Sequence, residues 1–274
     1  MLGAVLSVQL GAALATTLFD ELGPTATVFL RSGFAAALLA LLWRPRIAGH
    51  RGDELRVAVL FGVSLAGMNL CFYQALDRLP LGIAVTLEFV GPLGVAVAGS
   101  RRALDLLWVA LAAGGIVLLS GGPGGELDAL GMVLALGAGA LWGAYILLSA
   151  RVGRVFPGGT GLAIAMIVSA ALLAPAGIAG GGAELLHPAL LAVGVAVSLL
   201  SSAIPYSLEL EALRRVPEAV FGVLMSLEPA VAASVGFVAL GQDLAVIELL
   251  AIGMVIVASA GALGSAPSPA PTEA

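Results

Sequence analysis

Hydrophobic residues in this chain come in runs of about twenty, separated by short polar joins. A bilayer-spanning helix needs about 20 mainly apolar residues. Ten segments fit, at residues 2–19, 24–43, 56–76, 80–99, 103–120, 129–150, 158–178, 189–211, 217–240 and 244–263. The joins carry turn and charge signals, such as Asp20-Glu21-Leu22-Gly23-Pro24 and Gly121-Gly122-Pro123-Gly124-Gly125. None is long enough to hold a soluble domain. The pattern predicts an all-α membrane protein with ten transmembrane helices and a disordered, Pro-rich tail over 265–274. Within the fourth run, Pro80 to Gly99, the one ionisable group is Glu88, and a proline follows four residues later. Pro92 has no N–H to give the carbonyl of residue 88, so a kink and a freed acceptor are expected beside a buried acid.

Composition agrees. Of 274 residues, 60% are hydrophobic and 11% charged, with mean hydropathy +1.10, whereas soluble domains are about 25% charged. The single cysteine, Cys71, excludes an intramolecular disulfide. The first residues lack a basic region, so no cleavable signal peptide is expected. The chain has no HExxH, GxSxG, Walker or Cys/His cluster. Hence no enzymatic activity, ATP-driven pumping, metal, cofactor or nucleic-acid partner is expected. The expected partners are the lipid bilayer, a small solute and protons.

Charge then sets orientation. Every basic residue is Arg. The joins after segments two, four, six and eight hold Arg44, Arg46, Arg51, Arg56, Arg101, Arg102, Arg151, Arg154, Arg214 and Arg215. The other joins hold Asp20, Glu21, Asp77, Glu126, Asp128, Glu184 and Asp243, with Arg78 against them. By the positive-inside rule the Arg-rich joins and both termini are cytoplasmic, in a bacterial inner membrane.

The sequence also repeats. Displaced by 137 positions, Gln74-Ala75-Leu76-Asp77-Arg78-Leu79-Pro80 falls on Glu211-Ala212-Leu213-Arg214-Arg215-Val216-Pro217, Ser64 on Ser201 and Pro92 on Pro229. Two five-helix units are predicted, at 1–125 and 126–264. Five is odd, so the second unit enters the membrane inverted. Inverted repeats are the architecture of alternating-access carriers, with the site near the midplane where the repeats meet. The prolines match between units but the acids do not, because Glu88 falls on Met225 and Glu228 stands three residues further on.

Ionisable residues inside a membrane cost about 2.5–3.5 kcal/mol each at a helix centre. Arg31, Glu88 and Glu228 lie inside predicted spans. Arg31 and Glu88 sit at similar depth, and a structural pair between them is one reading. The other is a polar cavity in which Arg31 holds a carboxylate and the glutamates hold an ammonium, as suits an amino-acid zwitterion. Intramembrane carboxyls also form proton relays, which makes Glu88 and Glu228 candidates for proton coupling. Asn69 and Tyr73 share one face of the third segment and offer hydrogen bonds, to a substrate or to a neighbouring helix. The repeat sets Tyr206 opposite Asn69, and Pro205 beside it is expected to break the eighth helix. Pro92, Pro205 and Pro229 are the predicted hinges. Trp142 and Tyr145 read as packing residues, and Glu209, Glu211 and Glu248 as interfacial ones.

The stretches LGIAVTLEFVGPL, ALGAGALWGAYILLSARVG, IPYSLE and LMSLEPA resemble the EamA-type drug/metabolite transporter superfamily, and most of all its bacterial threonine/homoserine exporters. The resemblance runs from Gln9 to about Ala262. It implies ten helices in two inverted repeats and export of small amphiphilic metabolites, with proton antiport. The alternatives are export of another metabolite or drug, and a non-transporting membrane scaffold or channel.

Overall fold

The computed structural model describes residues 2–45, 50–98, 104–121, 127–205 and 224–264. Tyr206, Glu209, Glu211, Arg46, Arg101, Arg102, Arg214, Arg215 and the 265–274 tail lie outside the described residues. Every regular element described is helical. In chain order they are α1 (Leu2–Thr16), α2 (Phe19–Trp43), α3 (Gly52–Leu76), α4 (Leu81–Glu88), α5 (Val90–Ala98), α6 (Leu104–Gly121), α7 (Ala129–Val155), α8 (Thr160–Gly181), a 3₁₀ turn (Gly182–Leu186), α9 (Pro188–Ser198), a π-helical segment (Leu199–Ala203), α10 (Glu228–Leu240) and α11 (Val246–Gly264).

The boundaries follow local chemistry. At Gly23, φ is +70° and ψ 163°, a conformation in effect restricted to glycine. It turns the chain between a first short helical turn and the span that Pro24 opens. α3 begins four residues before its apolar run, because Glu54 accepts the Arg51 backbone N–H at 2.9 Å and caps the helix start. Asp128 caps α7 by accepting from the Gly131 N–H at 2.6 Å.

Five helical spans of 18–27 residues are long and apolar enough to cross a membrane: Phe19–Trp43, Gly52–Leu76, Leu81–Ala98, Ala129–Val155 and Thr160–Leu186. Five shorter apolar helices accompany them, within Leu2–Thr16, Leu106–Leu119, Pro188–Ser202, Glu228–Leu240 and Val246–Ala262. Large apolar side chains such as Leu106, Val117 and Val238 lie open on the outside of the bundle. Such a surface suits lipid and not water, as expected of a multi-pass membrane protein.

Helices pair in a regular way. α2 packs on α8, α6 on α11, and α4 on α10. α3 packs on α7 and α8, while α1 packs on the π segment and α2 on α9. The joins sort into two ends. At one end Trp43 covers Gly158 and Gly159, and the His50 ring lies 4.6 Å from that of Phe156. At the other, Arg78 Nη1 reaches Asp128 Oδ2 at 3.4 Å, and Gln242 Oε1 accepts the Leu81 N–H at 2.9 Å. A dry cluster that includes Leu76, Leu79, Leu81, Ile83, Leu87 and Val235 lies toward this second end.

The backbones of α5 and α7 approach closely. A Cβ at Gly91 would collide with the Gly139 carbonyl, and one at Gly139 would stand 2.5 Å from the Glu88 carbonyl oxygen. Gly91→Ala is expected to destabilise the protein by about 1–3 kcal/mol, the usual range for overpacking. Gly94→Ala is the control, because its Cβ would meet nothing within 4 Å. It is expected to be neutral or to stabilise by up to about 1 kcal/mol. Thermal unfolding in detergent checks both, and equal midpoints would show that the close approach is not required.

Candidate functional site

A cavity of about 380 Å³ lies in the centre of the bundle, within the range of roughly 300–1,000 Å³ common for small-molecule sites. Arg31, Asn69, Tyr73, Glu88, Glu228, Pro92 and Pro205 all line it. Residues separated by up to 197 positions in the sequence, from Arg31 to Glu228, therefore meet in one place. Pro229 is buried beside Glu228 at the start of α10. Glu248 stands apart, where its carboxylate accepts the Ala245 N–H at 2.7 Å and caps α11.

The cationic side is built by α2 and α3. Asn69 Nδ2 donates to the Leu65 carbonyl at 2.8 Å within α3, which turns Oδ1 outward. Arg31 Nη1 donates to that oxygen at 2.7 Å. One helical turn along, the Tyr73 ring lies beneath the guanidinium, with Cζ 5.5 Å from its centroid. A cation over an aromatic face gains about 0.5–2 kcal/mol. Arg31 does not pair with Glu88, which differs from the structural pair considered above. Asn69, and not Glu88, is the side chain within hydrogen-bond distance of the guanidinium among the described residues. Arg31 Nε is buried without a hydrogen-bond partner among the described residues, so the group retains donor capacity.

The anionic side is built by the interrupted helices. α4 ends at Glu88, Phe89 stands between helices, and α5 resumes at Val90. Three residues after this break comes Pro92, which has no N–H for the Glu88 carbonyl. Gly139 of α7 lies against that carbonyl. In the second half Ser226 and Leu227 form the corresponding turn, and α10 starts at Glu228-Pro229. A carboxylate in the first turn of a helix is favoured by the axial dipole. Glu228 Oε1 also accepts from Gln9 Nε2 of α1 at 3.2 Å. Both Glu228 and Arg31 lie close enough to Glu88 to act on its charge.

Before Pro205 the chain forms a π-helical segment, a widened turn that often marks functional sites. Ser7 Oγ of α1 donates to the Leu200 carbonyl there at 2.7 Å and ties the segment down. Aromatic rings close the cavity: Phe89 meets Trp142 edge-on at 5.4 Å, and Tyr145 packs on Phe61 at 5.0 Å. Gln9, Trp142 and Tyr145 are cavity residues that sequence reasoning did not assign. The signal for Gln9 was present: it is a primary amide in an otherwise apolar run.

The EamA-like transporter family matches residues 129–264. The threonine/homoserine exporter RhtA of Escherichia coli (strain K12) is 44% identical over 267 residues, covering 95% of this chain and 89% of that protein. RhtA of Salmonella typhimurium (strain SL1344) is 43% identical with the same coverage. The uncharacterized transporter YwfM of Bacillus subtilis (strain 168) is 26% identical over 241 residues, covering 82% of this chain and 80% of its own length. A solved crystal structure shares the fold, with TM-score 0.60 and 19% identity over 96% of this chain and 95% of that one.

Asn69→Leu removes the acceptor from Arg31 and is expected to cost about 1.5–3 kcal/mol, the range for hydrogen bonds to charged groups. Asn69→Asp keeps an acceptor there and is expected to lose less than half as much. Thermal unfolding in detergent compares them. Equal losses would mean that the side chain serves α3 alone and not Arg31.

Proposed function

The chain belongs to the EamA-like transporter family, and on that premise we propose that it is an inner-membrane secondary carrier that exports small amino acids, threonine and homoserine foremost. The observation that carries this reading is the polarity of the cavity. A guanidinium with spare donor capacity lies on one side and two carboxylates lie on the other. An α-amino acid presents the complementary pair, with its carboxylate for Arg31 and its ammonium for Glu88 and Glu228. Asn69 and Tyr73 position Arg31. Tyr206 is a further hydrogen-bonding candidate on sequence grounds. The names of the similar RhtA proteins support the choice of substrate.

Transport follows from two inverted five-helix units, residues 1–125 and 126–264, that rock about the site. Three observations support this reading. The helix pairs α2–α8 and α6–α11 each join elements that the 137-residue displacement relates. The breaks at Phe89 and at Ser226-Leu227 fall at related positions, each just before a matched proline. The Arg-rich joins described gather at one end of the bundle and the acidic joins at the other, as a single crossing direction requires. The positive-inside rule then puts both termini in the cytoplasm. Glu88 and Glu228 exchange a proton for the substrate ammonium, so that export runs as antiport. Pro92, Pro205 and Pro229 are the hinges.

In a host sensitive to inhibitory threonine or homoserine, the wild-type protein is expected to restore growth. Glu88→Gln and Arg31→Ala are each expected to reduce export at least about tenfold, the loss that follows from one missing charge-assisted contact. No protection by the wild type would remove the substrate assignment. Full protection by both variants would remove the site assignment. In proteoliposomes the substrate-driven pH change is expected to vanish in Glu88→Gln, and an unchanged signal would refute proton coupling.

A further inference from the structure

Gln9 lines the cavity beside Glu228. It lies in the middle of α1 and is almost fully buried, at 2% exposure. Its Nε2 donates to Glu228 Oε1. In its ionised form Glu228 accepts and does not donate, so in that state this contact turns the Nε2 end of the amide toward Glu228. The other end, Oε1, is a strong acceptor. It is buried and has no hydrogen-bond partner among the described residues. Leaving a buried acceptor unmatched is unfavourable unless a ligand supplies the donor.

The donor must come from what the cavity binds. An ammonium is better placed against the carboxyl groups of Glu88 and Glu228, which line the same cavity. A neutral amide oxygen suits a neutral donor, and a hydroxyl is the simplest. We infer that Gln9 is the residue that reads the side-chain hydroxyl of the substrate, accepting its proton at Oε1, so that the site selects hydroxylated amino acids over apolar isosteres. This inference rests on the amino-acid reading of the cavity. The physical basis is asymmetric discrimination. A pocket that merely fits a side chain separates isosteres weakly. One that hydrogen-bonds a hydroxyl rejects the analogue lacking it strongly, because its own polar group is left unpaired.

Transport of threonine and of valine, its isostere, is measured in proteoliposomes holding the full chain. The wild type is expected to prefer threonine by about 100-fold or more in kcat/KM. Gln9→Leu, which also removes the contact to Glu228, is expected to lower that preference at least about tenfold because threonine transport falls further than valine transport. A residue with only a packing role would lower both substrates together. A second measurement needs no variant. O-Methylthreonine keeps the oxygen but has no hydroxyl proton, and it is expected to compete at least about tenfold more weakly than threonine against the wild type. Equal competition, or a threonine-to-valine ratio unmoved in Gln9→Leu, overturns the role of Gln9 and leaves amino-acid export standing. Failure of the wild type to move threonine overturns both.

Discussion

The molecule is organised by the problem of keeping three ionisable side chains in an apolar bundle. Each costs about 2.5–3.5 kcal/mol at the centre of a spanning helix, so the protein must supply what water would have supplied. Arg31 is answered by the Asn69 carbonyl oxygen at 2.7 Å and by the face of Tyr73. Glu228 is answered by the start of α10 and by the Gln9 amide. Glu88 sits at the end of α4 within electrostatic reach of both. Asn69 and Tyr73 stand one turn apart on α3, which puts both on the guanidinium. The packing of α3 between α7 and α8 therefore fixes the cationic side of the cavity as much as Arg31 itself does.

The breaks in the helices serve the same end. An unbroken helix offers no backbone group to a cavity. At Glu88 and at Glu228 the helix stops beside an acid, and the nearby proline removes a donor from the ladder. The bundle closes around these breaks only because α5 and α7 meet through Gly91 and Gly139, where side chains would hold the backbones apart. Small residues are thus what lets the polar centre exist in a close-packed membrane protein.

Much of this was legible in the sequence. Among the described residues the apolar runs marked where helices lie, because a span needs continuous hydrophobicity and a turn needs Gly, Pro or charge; the end of the 189–211 run and the start of the 217–240 run lie outside the described residues. α3 and α7 extend beyond their runs because Glu54 caps the first and the second continues to Val155, through Arg151 and Arg154. Buried charge pointed to Arg31, Glu88 and Glu228, and all three line one cavity. The partners were less legible. An Arg31–Glu88 pair was one of the two readings that matching depth allowed, but depth says nothing about the direction in which a helix faces. Asn69 reaches Arg31 first because Leu65 holds its amide turned. Gln9 was overlooked because an uncharged amide is cheap enough to pass for helix–helix contact. Trp142 and Tyr145 read as packing because aromatic residues in apolar helices usually are.

The claim at the centre is that the cavity holds both ends of a zwitterion at once. Competition against threonine counterflow by charge-edited analogues tests it most directly. Threonine methyl ester lacks the carboxylate that Arg31 would hold, and N-acetylthreonine lacks the ammonium that Glu88 and Glu228 would hold. Each is expected to compete at least about tenfold more weakly than threonine, since each leaves a buried charge without its partner. If either analogue competes as well as threonine, the corresponding side of the site does not bind the substrate's charge, and the zwitterion assignment is wrong.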